Sequence, residues 1–183
     1  MITFNKIIKS ESVILRPIKR EDFEEMKLLT TDKNMWYYFT ADLSNETELK
    51  NWINQAVTEL ENKQSLPFSI LNIKNNSIIG TTRISNISKK NGRVEIGWTW
   101  IAKPFQGTGI NSHVKKLLFK FLFEETNVIR IEFKTDVLNI PARKGLIKSG
   151  LTEEGILRSH TLMTNNRRRD TIFYSILKSE WLA

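Results

Sequence analysis

The stretch Ile101-Ala102-Lys103-Pro104-Phe105-Gln106-Gly107-Thr108-Gly109-Ile110-Asn111 separates two segments of different periodicity. Residues 94–101 alternate and predict a strand, with Val94, Ile96, Trp98 and Trp100 on one face and Glu95, Gly97, Thr99 and Ile101 on the other. The residues after the stretch predict a helix with one apolar stripe, made of Ile110, Val114, Leu117, Leu118, Phe121 and Leu122. The quoted stretch is therefore predicted to be a loop between a strand and a helix.

A glycine loop that leads into a helix can bind an anion. The first helical turn leaves backbone N–H groups unpaired at the positive end of the helix dipole, and glycines let those groups approach a ligand closely. Residues 106–111 therefore predict an anion site, with an ordinary glycine turn as the alternative. A Walker loop has no match in the chain, and a dinucleotide fingerprint would need glycine where Ser112 stands.

Outward from this loop, the chain alternates between strand and helix patterns. Strands are predicted at residues 13–17, 68–73, 78–84, 94–101, 129–135, 152–163 and 170–178. Helices are predicted at residues 21–30, from an N-cap at Ser44 to about residue 60, at residues 110–122 and at residues 142–149. The order predicts a mixed α/β fold, in which one sheet is part parallel and part antiparallel and carries helices on both faces.

The composition favours one domain, covering residues 1–183 with its core at about 13–180. A chain of 183 residues with 40% hydrophobic content can bury one core. No apolar run is long enough for a membrane span, and the N-terminus has no export-signal pattern. The absence of cysteine fits a cytoplasmic protein. The net charge is +8, and Arg167-Arg168-Arg169 beside Asn165-Asn166 predicts a positively charged turn between two strands.

Several short motifs occur in a definite order along the chain. They are Leu15-Arg16-Pro17 with Glu21-Asp22, Ile79-Gly80-Thr81, Glu95-Ile96-Gly97-Trp98, Gln106-x-x-Gly109-x-Asn111, Asn139-x-x-Ala142-Arg143 and Gly150-Leu151. In these motifs the chain resembles the GCN5-related N-acetyltransferase (GNAT) superfamily, and is most similar to its RimJ/RimL-type branch of ribosomal-protein acetyltransferases. The resemblance covers nearly the whole chain. Asn111 departs from it, because glycine or alanine is usual at that position.

The resemblance implies a GNAT fold whose central sheet is splayed between the fourth and fifth predicted strands, 94–101 and 129–135. It also implies acetyl-CoA as the co-substrate and an amine that attacks the thioester directly. The pyrophosphate would be held by Gln106, Gly107, Thr108, Gly109, Ile110 and Asn111. The pantetheine arm would pair with the backbone of Thr99, Trp100 and Ile101, with Asn139 on its opposite side and Arg143 beside it. A backbone N–H of the fourth strand would stabilise the oxyanion.

Two glutamates are candidates for the general base. Glu95 comes first, because the alternation places it on the face of Gly97 and Thr99, which the resemblance puts near the acetyl group. Its alternative is an ordinary ion pair with Arg93 or Arg130. Glu154 is the second candidate, with a solvated strand start as its alternative.

The family's acid is a tyrosine seven residues after the asparagine, and here that position is Leu146. Ser149 or Tyr174 could take over this role, or water could protonate the thiolate. For the acceptor pocket the resemblance suggests Trp36, and His160 could line it. The acidic stretch 42–48 could make the groove attractive to a cationic acceptor. No His, Cys, Asp or Glu spacing indicates a metal site.

The sequence thus predicts an N-acetyltransferase acting on the N-terminal amine of a protein, such as a ribosomal protein. Alternatives are a small-molecule amine, such as a polyamine or aminoglycoside, and a non-catalytic sensor of acyl-CoA. A nucleic-acid partner is disfavoured, because the basic residues are scattered. No membrane partner is expected, and exposed strand edges near the C-terminus suggest a homodimer or larger homo-oligomer.

Overall fold

A computed structural model describes residues 2–164 and 166–181 of the protein. The strands are β1 (Ile8–Lys9), β2 (Val13–Pro17), β3 (Leu66–Asn72), β4 (Ile78–Ser88), β5 (Arg93–Ile101), β6 (Arg130–Asp136), β7 (Thr152–Leu162) and β8 (Arg168–Leu177). The α-helices are α1 (Phe23–Leu29), α2 (Glu46–Glu61), α3 (Ile110–Glu125), α4 (Ile140–Lys148) and α5 (Lys178–Trp181). Short 3₁₀ turns lie at Arg20–Asp22, Lys33–Trp36 and Lys103–Phe105. All predicted strands and helices are confirmed, and β1 and α5 are additional.

One mixed sheet runs in the order β1-β2-β3-β4-β5-β6-β8-β7. Within the described residues, β5 and β6 are parallel neighbours and every other neighbouring pair is antiparallel. The pairing of β5 with β6 extends only from Arg93↔Arg130 to Glu95↔Glu132. From Ile96 onward β5 has no partner on β6, so the sheet opens into a gap. The predicted splay between the fourth and fifth strands is confirmed.

The two faces of the sheet carry separate cores, as predicted for helices on both sides. Helix α3 buries Val114, Leu118, Phe119 and Leu122 against one face. Helix α2 buries Leu49, Trp52, Ile53 and Ala56 against the other. Asn45 caps α2, not Ser44, because its side-chain oxygen accepts from the N–H groups of Thr47 and Glu48 at 2.9 and 3.1 Å.

A β-bulge at Trp98 breaks the predicted alternation of β5. Thr81 pairs with Trp100 and Arg83 with Gly97, so β5 contains one extra residue there, and Trp98 has a φ of +50°. Val94, Ile96 and Ile101 belong to the core beside α3, whereas Trp98 and Trp100 pack in the core beside α2. The prediction of one continuous face from Val94 to Trp100 is therefore wrong, because the inserted residue reverses the side chains that follow it.

A buried carboxylate joins β2, β3 and the turn before α1. Asp22 is 5% exposed and accepts from both terminal nitrogens of Arg16 at 2.6 and 2.9 Å, and from the hydroxyl of Ser69 at 2.6 Å. The backbone N–H of Lys19 also donates to it at 3.0 Å. Burial alone would raise the pKa of Asp22, but these hydrogen bonds outweigh burial and lower the pKa below 3.8.

Replacing Asp22 by asparagine should lower the free energy of unfolding by about 2–4 kcal/mol at pH 7, since Arg16 then loses its partner. A lowered folded-state pKa stabilises the fold above the unfolded pKa, and that contribution disappears as the pH falls through the folded-state value. The gap between protein and variant should therefore close in strong acid. Urea unfolding at several pH values measures it.

The exposed pair of Arg20 with Glu61 serves as the control for this measurement. Glu61→Gln should change the free energy of unfolding by less than about 1 kcal/mol, because exposed ion pairs contribute little. Equal losses in the two variants would contradict a special role for Asp22.

No helix in the part of the chain that the structure describes is long and apolar enough to cross a membrane.

Candidate active site

A cleft of about 660 Å³ occupies the gap between β5 and β6. Its wall includes Glu95, Ile96, Gly97, Trp98 and Thr99 of β5 and Phe133, Lys134 and Thr135 of β6. Asn111 and Lys115 of α3, and Asn139, Ala142, Gly145 and Leu146 around α4, line it on the α3 side. Phe39, Trp52, Gln55, Glu59 and Arg83 contribute from the α2 side. The cleft thus reaches from the predicted anion loop to the core beside α2.

The N-terminus of α3 is open to a ligand. Gly107 and Gly109 have φ angles of +75° and +88°, in the left-handed region that favours glycine. Gly109 is the N-cap, and no side chain among the described residues caps it. The first backbone donor used within the helix is the N–H of His113, which bonds to Gly109 O at 3.0 Å. The three preceding N–H groups are therefore available to an anion.

Side chains of the loop fix its shape. The amide of Gln106 donates to Ile101 O at 2.8 Å, which ties the loop to the end of β5. The hydroxyl of Thr108 donates to Phe105 O at 2.7 Å. Because both side chains are engaged with backbone oxygens, the donors left for an anion are backbone N–H groups, together with the Asn111 side chain that lines the cleft.

The edge of β5 that faces the gap carries backbone groups without a strand partner among the described residues, although the carbonyl oxygen of Ile101 accepts from Gln106. Ala102 N–H donates to Ile79 O at 2.8 Å, so the backbone of Ala102 faces β4. By strand alternation Trp100 faces β4 as well, and Thr99 and Ile101 face the gap. Of the three residues predicted to pair with the pantetheine arm, Thr99 and Ile101 could therefore bind a ligand through their backbone groups. Trp100 could not, because its backbone faces β4.

Asn139 and Arg143 have different positions relative to the cleft. Asn139 caps α4 through its oxygen, which accepts from Ala142 N–H at 3.2 Å. Its NH₂ group has no hydrogen-bond partner in the described part of the chain, so it is available to a ligand in the cleft. Arg143 is directed elsewhere: it donates to Val137 O at 3.0 Å and to the Tyr174 hydroxyl at 3.2 Å. The geometry suits Asn139 for cofactor contact and gives Arg143 a structural role.

Glu95 lies in the cleft wall, 8% exposed. It forms an ion pair with Lys134 at 3.0 Å and accepts from the side-chain amide of Asn86 at 2.8 Å. Its carboxylate shares a face with Gly97, because a Cβ on Gly97 would lie 3.4 Å from Glu95 Oε1. The expected alternative partners, Arg93 and Arg130, both bind Glu132 instead.

Glu154 is separate from Glu95. It accepts hydrogen bonds from the guanidinium of Arg130 and from the Ser175 hydroxyl, the latter at 2.7 Å. The hydrogen bond from Arg130 lowers the pKa of Glu154 despite partial burial. It is not among the described residues that line the cleft.

The position of the expected tyrosine is apolar, as the sequence indicated. Leu146 lines the cleft and is 6% exposed. Ser149 donates to Gly145 O at 2.8 Å, and the Tyr174 hydroxyl donates to Glu153 at 2.9 Å. Burial raises the pKa of Tyr174. Neither replacement candidate is among the described cleft residues.

Trp36 and His160 do not form the acceptor wall. Trp36 is 2% exposed in the core beside α2, and its indole N–H donates to Thr30 O at 2.9 Å. His160 is exposed, and its ring nitrogen is 3.1 Å from the Thr171 hydroxyl. Trp52 and Trp98 line the cleft instead. The acidic stretch 42–48 does not contribute to the described cleft wall.

Three buried cationic side chains in the cleft wall were not predicted from the sequence. Lys115 is 7% exposed, without a hydrogen bond or ion pair among the described residues, and burial lowers its pKa to about 8. Arg83 is 5% exposed and Arg169 is 6% exposed. Arg169 was expected in a turn, but it lies in β8; Asn165 of that predicted turn is outside the described residues. The sequence offered an indication for Lys115: it follows Asn111 by four residues, so both side chains lie on the same face of α3.

Among the described residues, no group of three or more His, Cys, Asp or Glu side chains could hold a metal ion.

Comparisons with known proteins agree with this geometry. The Acetyltransferase (GNAT) domain model matches residues 12–152. The Bacillus subtilis (strain 168) protein YdaF, provisionally named a ribosomal N-acetyltransferase, is 28% identical over 181 residues, 94% of each chain. The structure of a GCN5-related N-acetyltransferase from Brucella melitensis has a TM-score of 0.88 at 22% identity, covering 98% of this chain and 81% of that one. The ribosomal-protein-S5-alanine acetyltransferase from Vibrio fischeri has a TM-score of 0.78 at 20% identity, covering 96% and 98%.

The two structural likenesses concern the fold, since their identities are low. The domain match spans more than half of the chain and includes the loop, the gap and Asn139. The chain therefore belongs to the GNAT acetyltransferase family, and its enzymatic class is N-acetyltransferase.

Proposed function

We propose that residues 1–183 form one domain that transfers the acetyl group of acetyl-CoA to the N-terminal amine of a protein, such as a ribosomal protein. The observation that carries the proposal is the uncapped N-terminus of α3, whose Asn111 lines the cleft between β5 and β6. The provisional name of the relative YdaF supports the choice of acceptor.

The residues present fit acetyl-CoA. Backbone N–H groups from Ile110 to Ser112 are arranged to bind its pyrophosphate, as the open helix terminus favours. Lys115 adds a positive charge one turn further along α3. The free edge of β5 at Thr99 and Ile101, together with the NH₂ group of Asn139, suits the amides of an extended arm lying in the gap.

When bound, acetyl-CoA supplies a thioester carbonyl that the acceptor amine attacks. The new C–N bond forms as the C–S bond breaks, so the amine must lose a proton and the thiolate must gain one. An α-amino group has a pKa of about 7.7–8.0, so part of it is already neutral at pH 7. Glu95 is suited to accept the proton from the remaining fraction, directly or through one water.

Two further groups assist this step. An N–H on the open edge of β5 stabilises the negative charge that develops on the carbonyl oxygen. Because Leu146 has no proton to give, water protonates the departing thiolate. Holding the two reactants in the cleft supplies the remainder of the rate.

Thioester loss in the presence of acetyl-CoA and a panel of amines tests the proposal. Peptides with a free N-terminus should be acetylated, whereas the same peptides with a blocked N-terminus should not react. Faster turnover of a polyamine or an aminoglycoside would indicate the small-molecule alternative. Tight binding of acetyl-CoA with no turnover on any amine would identify a sensor instead of an enzyme.

A further inference from the structure

The side chains that line the cleft carry more positive than negative charges. Four of the described lining residues are cationic and two are anionic: Arg83, Lys115, Lys134 and Arg169 against Glu59 and Glu95. Glu59 pairs with Arg83 at 3.0 Å, and Glu95 pairs with Lys134 at 3.0 Å. Lys115 and Arg169 therefore remain without a carboxylate. Lys115 lies on the cofactor side with Asn111, so Arg169 is the unmatched charge that is left for the acceptor.

Arg169 is buried in the cleft wall and is hydrogen-bonded through one of its three nitrogens. It is 6% exposed, and its Nε donates to the Thr171 hydroxyl at 3.0 Å. Burial lowers the pKa of Arg169, and the charges of Asp136 and Glu95 oppose that effect. Asp136 is occupied by an ion pair with Arg167. The terminal nitrogens of Arg169 have no hydrogen-bond partner among the described residues.

Arg169 and Glu95 both line the cleft. Arg169 therefore shares the cleft with the group that we propose as the base. The adjacent Arg168 is exposed and bonds to Ser159, since neighbouring side chains of a strand alternate.

Arg83 offers further unpaired donors in the same wall. Its Nη1 binds Glu59, while Nε and Nη2 are buried without a partner in the described structure. The guanidinium lies over the rings of Trp52 and Trp98, at 5.0 and 5.9 Å from their centroids. Buried donors without acceptors are costly to the protein alone. A planar group with two oxygens is what arginine binds best.

We propose that the acceptor carries a carboxylate near its reacting amine, and that Arg169 binds this carboxylate. The inference rests on the proposed function for the existence of an amine acceptor. It disfavours polycationic acceptors, because the cleft would repel them. The carboxylate could be an Asp or Glu side chain next to a peptide N-terminus, or the α-carboxylate of a free amino acid.

The test measures binding by tryptophan fluorescence, since Trp52 and Trp98 line the cleft. The full-length protein, with coenzyme A present, is titrated with the peptide amides Ser-Glu-Ala-NH₂ and Ser-Gln-Ala-NH₂, and with alanine and alaninamide. We expect at least one carboxylate ligand to bind about tenfold or more tightly than its neutral counterpart, as a charged hydrogen-bonded pair allows. The pair that discriminates identifies the source of the carboxylate.

Arg169→Gln should bring that affinity ratio close to one, and Arg169→Lys should keep part of it. Arg168→Gln is the matched control and should leave the ratio unchanged. In turnover, the loss should appear mainly in the KM for the acceptor. Equal affinity for charged and neutral ligands, no detectable binding of either carboxylate ligand, or an equal loss for both ligands in Arg169→Gln would overturn the inference. Retained discrimination without acetylation would instead count against the proposed function alone.

Discussion

Gly109→Trp should weaken the binding of coenzyme A at least about 100-fold, which corresponds to about 2.8 kcal/mol. Gly109 has a φ of +88°, and a Cβ there would meet no described atom within 4 Å. The indole ring would therefore extend into the space in front of the α3 N-terminus, where we propose that the pyrophosphate lies. Isothermal titration with coenzyme A measures the effect.

Gly150 provides a matched control for this substitution. It has a φ of +84°, equally open surroundings, and a position at the end of α4 outside the described cleft wall. Gly150→Trp has a similar backbone strain of about 1–3 kcal/mol, yet it should keep its affinity for coenzyme A. Undiminished affinity in Gly109→Trp would disprove the loop assignment, and equal losses in both variants would point to strain instead of a blocked site.

Glu95→Gln should lower the acetylation rate by about 100-fold or more at pH 6, within the range expected for a general base. The amine is almost entirely protonated there and depends on the carboxylate to lose its proton. Above a pH of about 8 the amine is already neutral, so the rates of the protein and the variant should converge. The measurement is kcat against pH with a saturating peptide.

Glu132→Gln is the control for the base. Glu132 lies opposite Glu95 in the register of β5 and β6, and it forms ion pairs with Arg93 and Arg130. It is not among the described cleft residues. Its variant should keep the pH profile of the unmodified protein. If Glu95→Gln also kept that profile, Glu95 would no longer be a candidate.

The order of the elements and the loop 106–111 could be predicted from the sequence, because both depend on local patterns. Periodicity distinguishes β5 from α3, and a glycine between them has a local conformational reason. The bulge at Trp98 could not be predicted in this way, because one inserted residue leaves the apolar pattern of a strand almost unchanged.

The partners of the charged residues were also beyond a sequence reading. Glu95 binds Lys134 because of the register between β5 and β6, which is a long-range property. Arg169 lies in a run of three arginines, which suggests a solvated turn. Strand alternation nevertheless buries it between the exposed side chains of Arg168 and Asp170. Lys115 interrupts an apolar helix and resembles a surface lysine until the cleft is known.

The short junction between β5 and β6 divides the molecule along its sequence. All strands on one side of the junction precede Ala102, and all strands on the other side follow Ile129. The fold thus consists of two consecutive wings, with α3 as the crossover. The anion loop ends the first wing, whereas Arg169 belongs to the second. Because Asn139 of the second wing and Arg83 and Glu95 of the first also line the cleft, donor and acceptor contacts both come from the two wings. The reaction therefore depends on how the short junction holds one wing against the other.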